Sequence, residues 1–240
     1  MTVSLSANEL AERIRSRLAG SADPDFAAGQ QRFFQHQVRT YGVRTRQLHA
    51  LDREFWRAVK ALPLAARNSL MNALWRDPHL ESGILACYLY RRFESQCGRC
   101  EFRLFERWID RYVRNWAHCD AVSSWLLAAS ISNEPELRFS LTAWTAAPNL
   151  WKRRAAAVAL LQEAKHGRHT DFLFSIATPL LPDPELMVQK GVGWLLKETY
   201  PARPRETVAF LLRQRHTASR LTLRYAAEKM TPADRKLVLA

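Results

Sequence analysis

The feature that most constrains this chain is the return of proline at the head of one apolar-patterned segment after another. Asp23-Pro24, Pro63, Asp77-Pro78, Glu134-Pro135, Pro148-Asn149, Asp183-Pro184, Pro204 and Pro232 each stand before such a segment. Proline lacks the amide hydrogen a helix interior needs, but a first helical turn leaves that donor unused, so proline in these places marks a helix start. Leu48, Leu51, Phe55, Trp56 and Val59 show the three-and-four spacing of one apolar helix face. No segment alternates with period two between hairpin turns, so strands are not expected. The reading is all-α.

Taken in order, Ser6-Ala7-Asn8-Glu9 has the form of a capping box and opens a helix from Glu9 to about Leu18. Asp23-Pro24 opens another, through Phe26, Phe33 and Phe34 to about Val38. Tyr41-Gly42-Val43-Arg44-Thr45 reads as a turn, with Gly42 supplying backbone freedom and Thr45 able to cap the next helix. Helices then follow from Pro63 to Trp75, Asp77-Pro78 to about Phe93, Glu101 to Trp116 and Ala121 to Ala129. The remainder are Asn133-Glu134-Pro135 to Ala147, Leu150 to about His166, Asp171 to Leu180 and Asp183 to Tyr200. Pro204 to about Arg215, Thr217 or Ser219 to Met230, and Pro232 to Leu239 complete the series.

Short helices joined by tight turns suggest stacked pairs. Trp75, Trp116, Trp151 and Trp194 recur at intervals of 41, 35 and 43 residues, near the period of about 40–47 residues of HEAT and armadillo units. The expected architecture is a HEAT-like helical-repeat solenoid, residues 1–240 forming one domain, with a compact irregular bundle as the alternative. A solenoid carries a concave surface, and a basic groove of that kind suits a long ligand such as duplex DNA.

Charge points the same way. Lysine and arginine number 36 against 23 acidic residues, a net charge of +13. Such an excess favours a polyanion, nucleic acid before an acidic membrane. No run approaches the roughly 18 apolar residues of a membrane span, and Met1 to Ser6 lacks the basic and apolar segments of a secretory signal. The expected location is cytoplasmic, on the nucleoid if the source is bacterial. Cys97-Gly98-Arg99-Cys100 has metal-ligand spacing, but no second pair completes a zinc site, and Cys87 and Cys119 are expected to be reduced and structural with it. Neither a metal nor a cofactor is expected.

Phosphate-binding loops, metalloprotease and hydrolase motifs and dinucleotide fingerprints are absent. Three stretches carry what chemistry remains: Arg111 to Asp120, Asn149 to Ala157, and Val188 to Glu198. If the first is helical, Trp116 and Asp120 stand one turn apart on a single face. Read alone, that pair is a packed indole and a cap for the helix after it.

Together the three stretches resemble the AlkD family of DNA alkylation repair glycosylases. The matching residues are Trp116 with Asp120, Trp151 with Arg154-Ala155-Ala156, and Lys190 with Gly193-Trp194-Leu195-Leu196-Lys197-Glu198, in the family's order and at about its separation. Tyr41-Gly42-Val43-Arg44-Thr45 resembles the family turn before its third helix, but Arg46 stands where that turn usually has proline. Phe33 falls where the family often has tyrosine.

The resemblance implies hydrolysis of the bond between deoxyribose and a cationic alkylated purine of the 3-methyladenine or 7-methylguanine type, in duplex DNA. A cationic base leaves as a neutral molecule and needs no strong general acid. Asp120 would stabilise the oxocarbenium-like sugar and orient water, while Trp116 and Trp194 would offer indole faces to the cation. Arg154 would hold a phosphate beside the lesion, with Arg44, Lys152, Arg153, Lys190 and Lys197 as further backbone contacts. The protein would act as a monomer. The alternative is a non-catalytic helical-repeat protein that binds damaged or branched DNA; a protein-interaction scaffold is a third reading.

Overall fold

Helix starts and stops follow the local chemistry of the chain in a computed structural model that describes residues 6–240. The stretch inspected for a secretory signal falls almost wholly in residues 1–5, outside the described residues. Among the described residues every regular element is helical, as the proline punctuation predicts. Among the described residues, no helix is long and apolar enough to cross a membrane.

The chain divides into two compact units, Met1–Glu94 and Ser95–Ala240. In the first, α1 (Ala7–Ala19) begins with the expected capping box: the Glu9 amide donates to Ser6 Oγ, and the Ser6 amide donates to the Glu9 carboxylate. It is followed by α2 (Pro24–Gln30), α3 (Thr45–Lys60), α4 (Leu64–Arg76) and α5 (Leu80–Arg91). Helix α1 packs on α4, and α3 and α4 pack on α5, around a core that includes Ile14, Leu51, Leu70, Leu74, Leu85 and Leu89.

The helix expected to run from Pro24 to Val38 is shorter than that. It closes at Gln30, with one 3-10 turn at Gln31–Phe33. Residues 34–44 have no regular structure because side chains take over the backbone groups a helix would have used. Gln31 donates to the His36 carbonyl and accepts from the Val38 amide. Buried Glu81 accepts from the amides of Tyr41, Gly42 and Val43. Gly42 sits at φ +77°, and a Cβ there would lie 2.1 Å from the Asp23 carbonyl oxygen, so the turn requires glycine. Arg44, not Thr45, occupies the cap position of α3.

The second unit begins with α6 (Arg99–Arg111), α7 (Trp116–Ala121), α8 (Ala128–Asn133), α9 (Ser140–Trp144) and α10 (Leu150–Val158). It continues through α11 (Leu161–Lys165), α12 (Thr170–Leu180), α13 (Leu186–Thr199), α14 (Pro204–Gln214), α15 (Arg220–Ala226) and α16 (Pro232–Leu239). Two expected helices are divided: the one from Leu150 breaks between Val158 and Leu161, and the one from Glu101 stops at Arg111. Helix α13 is central, packing on α10, α11, α12 and α15. Its buried residues Val188, Val192, Leu195 and Leu196 give it an apolar face toward these neighbours.

Candidate active site

The break after Arg111 places the first site residues. Asn115 has extended backbone, and its side chain accepts a 2.9 Å hydrogen bond from the His118 amide, so it caps a new helix in which Trp116 is the first residue. Asp120 follows one turn later on the same face. Asp120 does not cap the following helix, as the pair read alone had suggested. The helical run continues unbroken from Trp116 to Asn133, through a π-helical turn at Val122–Leu127. A π turn is an uncommon interruption that tends to occur where side chains must be re-aimed. Here Ser124 Oγ donates to the Asp120 carbonyl at 2.7 Å, occupying a backbone acceptor next to the π turn.

The Asp120 carboxylate faces Arg154 on α10. Arg154 Nε donates to Oδ1 at 2.8 Å and Nη2 donates to Oδ2 at 2.9 Å, a bidentate pair. Arg154 Nη1 donates to the Met187 carbonyl in the first turn of α13. The Arg154 side chain is 6% exposed and that of Asp120 15%. Burial pushes the Asp120 carboxyl above the ordinary aspartate value, and the guanidinium opposes that rise. Burial acts on Arg154 in the opposite sense, but Asp120 outweighs it and keeps the guanidinium protonated. Both carboxylate oxygens accept from one guanidinium, which favours the ionised form against the effect of burial. Each oxygen has a further lone pair, so the carboxylate is not saturated.

Room for this arginine comes from α13. A Cβ on Gly191 would lie 3.2 Å from Arg154 Cγ and 3.4 Å from Nη1. Met187, Gly191, Trp194 and Glu198 are spaced four, three and four residues apart, which lines them along one stripe of α13. The stripe that seats Arg154 therefore continues, about 4.5 Å further along the axis, to Trp194. The half-buried Trp194 donates its indole N–H to Glu198 at 3.2 Å. Gly193 on the adjoining face lets α15 approach closely: a Cβ there would lie 2.4 Å from Tyr225 Cβ.

Cys119, on α7, donates to the Trp151 carbonyl of α10 at 3.3 Å. Burial first, and the Asp120 charge second, raise its thiol to about 12, so it stays protonated and is no nucleophile. Cys87 and Cys97 are also buried and Cys100 is exposed; all four are free thiols. Among the described residues no three His, Cys, Asp or Glu side chains cluster as a metal site would require.

The proposed backbone-contacting cations are mostly engaged within the protein. Lys152 reaches Glu106 at 2.8 Å and Asp110 at 3.1 Å. Arg153 bonds Asp183 at 2.6 Å and the carbonyls of Ala147 and Pro148. Lys197 pairs with Glu228 at 2.8 Å, and Lys190 lies 5.9 Å from the centre of the Tyr225 ring. Arg44 belongs to the first unit, where it pairs with Asp23 at 2.9 Å and covers the Phe26 ring. Phe33, also in the first unit, is 59% exposed. Trp75 and Trp144 are buried in the core, while Trp125 is half-buried.

Within the second unit, Trp116, Asp120, Arg154 and the Trp194 helix are thus linked through direct contacts and shared helix faces. Several supporting residues carry no signal as isolated letters: the Met187 carbonyl, Gly191 and the π turn have no one-dimensional signature. Asn115 does have one, since an asparagine just ahead of a helix is a preferred cap.

The second unit is thus all-α, with an arginine-bound carboxylate one helical turn from an indole. Residues 14–230 match the family described as DNA alkylation repair enzyme, and the chain belongs to that family. A solved structure described as a predicted DNA alkylation repair enzyme from Enterococcus faecalis shares the fold. Its TM-score is 0.79 at 18% identity, over 88% of this chain and 98% of its own. No match is found among curated protein sequences. Family membership supports a role in the repair of alkylated DNA.

Proposed function

We propose that the protein is a monofunctional DNA glycosylase that hydrolyses the N-glycosidic bond of cationic alkylated purines in duplex DNA. The observation that carries this reading is the carboxylate of Asp120, held bidentate by Arg154 in a largely buried site and set one turn from Trp116. Breaking the bond to a cationic purine leaves a neutral base and moves the positive charge to the sugar. A carboxylate about 4 Å from that sugar contributes on the order of 4 kcal/mol at an effective dielectric near 20. Arg154 cancels part of this, yet it also fixes the carboxylate plane and favours the ionised acid against its own burial. Interaction that grows only as the sugar becomes cationic lowers the barrier directly, and the free lone pairs of Asp120 can orient water.

In this reading Trp116 and Trp194 offer their indole faces to the lesion and sugar. Arg154 acts chiefly through Asp120, because three of its five donors are already engaged. Lys152, Arg153, Lys190, Lys197 and Arg44 would reach phosphates by exchanging their internal carboxylate or ring partners for DNA, positioning the duplex without reading sequence.

The test is release of 3-methyladenine or 7-methylguanine from methylated duplex DNA, by wild type and by Asp120→Asn. Release by wild type and its loss in the variant support the proposal; no release, or equal release by both, sinks it. One observation favours a second reading, a non-catalytic binder of damaged DNA: the guanidinium that neutralises Asp120. Tight, salt-sensitive binding of damaged duplex with no base released would establish that reading instead.

A further inference from the structure

Trp194 is held by more than packing. Its indole N–H donates to Glu198 Oε1 at 3.2 Å, and the other oxygen, Oε2, accepts from Lys229 Nζ at 2.6 Å. Glu198 is buried on α13, whereas Lys229 is exposed, at the end of the 3-10 turn Ala227–Lys229 that follows α15. The residue before each partner makes a second, crossed ion pair: Lys197 on α13 with Glu228 on the turn, at 2.8 Å. Two consecutive residues of α13 are therefore tied to two consecutive residues of one turn, with their charges reversed. Burial would raise the Glu198 carboxyl, but Lys229 and the indole N–H outweigh it and hold it below the ordinary glutamate value. The acceptor offered to the indole is accordingly favoured in its ionised form, anchored by the shorter contact to Lys229.

We propose that Glu198, anchored by Lys229, is a positioning residue that fixes the plane of the Trp194 indole in the DNA site. This rests on the glycosylase reading for its catalytic consequence, though not for the clamp itself. The geometry bears directly on function. An indole attracts a cation through its face and repels it along its edge, so a freely rotating ring presents the favourable face only part of the time. Trp194 is half-buried, so packing encloses only part of the ring. The N–H bond restrains rotation about the side-chain torsions by tethering the pyrrole edge of the indole. The tether runs between i and i+4 neighbours of one helix and is itself moored to another element, so it cannot swing with the ring.

The experiment combines indole NMR with kinetics. The 15N-labelled protein, with the Trp194 resonance assigned through Trp194→Phe, is compared with Glu198→Ala, Glu198→Gln and Lys229→Met. The Trp194 indole proton is expected to move upfield and to lose exchange protection in E198A. E198Q keeps an acceptor and should shift it less, and K229M, a change at an exposed residue, should give an intermediate effect. For release of 7-methylguanine from a methylated duplex, kcat of E198A should fall about tenfold with KM nearly unchanged, as expected when a reacting partner is misoriented rather than unbound. E198Q should recover most of that loss. An unmoved Trp194 resonance in both E198A and K229M overturns the clamp. A shifted resonance with unchanged kcat overturns its role in positioning. If wild type releases no base, the glycosylase reading fails while the NMR comparison still decides whether the clamp exists.

Discussion

Replacing Arg154 with methionine removes the guanidinium from both oxygens of Asp120 while keeping a side chain of similar length. Asp120 is left largely buried with no cation on its carboxylate, and the Met187 carbonyl loses its donor. Breaking a buried ion pair from one side costs about 3–5 kcal/mol. For a protein of this size each kcal/mol lowers Tm by about 2–4 °C, so Arg154→Met should melt roughly 6–20 °C below wild type. The double variant Asp120→Asn/Arg154→Met removes the charge on both sides and should recover much of that loss, with a coupling of about 2–3 kcal/mol across the cycle. The pH dependence has a definite sign. Without Arg154 the Asp120 carboxyl in the folded protein lies still further above its unfolded value, so folding favours the protonated form. The deficit of Arg154→Met relative to wild type should therefore shrink as pH falls. Thermal denaturation of the four proteins at two pH values measures all of this. A single variant melting within about 2 °C of wild type, or two single losses that simply add in the double, would refute the claim that the pair is buried and mutually dependent.

Three further outcomes follow from the geometry. Asn115→Ala removes the cap that starts α7 at Trp116, and should cost about 0.5–2 kcal/mol in denaturant unfolding and reduce base release as the first turn frays. Gly193→Ala puts a methyl group 2.4 Å from Tyr225 Cβ and should destabilise by about 1–3 kcal/mol through overpacking, read as a lowered Tm; an unchanged Tm would mean that α15 is less closely seated than described. Burial raises the Asp120 carboxyl, so the acid limb of base release should fall as pH drops through a midpoint above the ordinary aspartate range, and a midpoint at the ordinary value would contradict that environment.

The supporting geometry of the site was less legible than its residue types. Trp116 and Asp120 stand four letters apart, and a helical period alone places them on one face. The pairing of Asp120 with Arg154 spans 34 residues, and nothing in local pattern separates an arginine that faces phosphate from one turned inward to a carboxylate. The same ambiguity affects Lys152, Arg153 and Lys197, whose positive charge was evident but whose internal acids were not. Glu198 shows a related gap: it stood in the matched motif without a role, because its partner Lys229 lies on another element.

Proline at helix heads, side-chain caps and three-and-four apolar spacing act within a few residues, so the sequence by itself determined an all-α chain and most of its helix starts. Where long-range partners compete with the helix, it did not. Residues 34–44 stay irregular because Glu81 and Gln31 capture their backbone groups, and the helix begun at Trp116 runs past Asp120 through a π turn. Only the tertiary structure decided that Arg154 belongs to Asp120, since a buried charge must find its counter-ion wherever the packing of α7, α10 and α13 brings one.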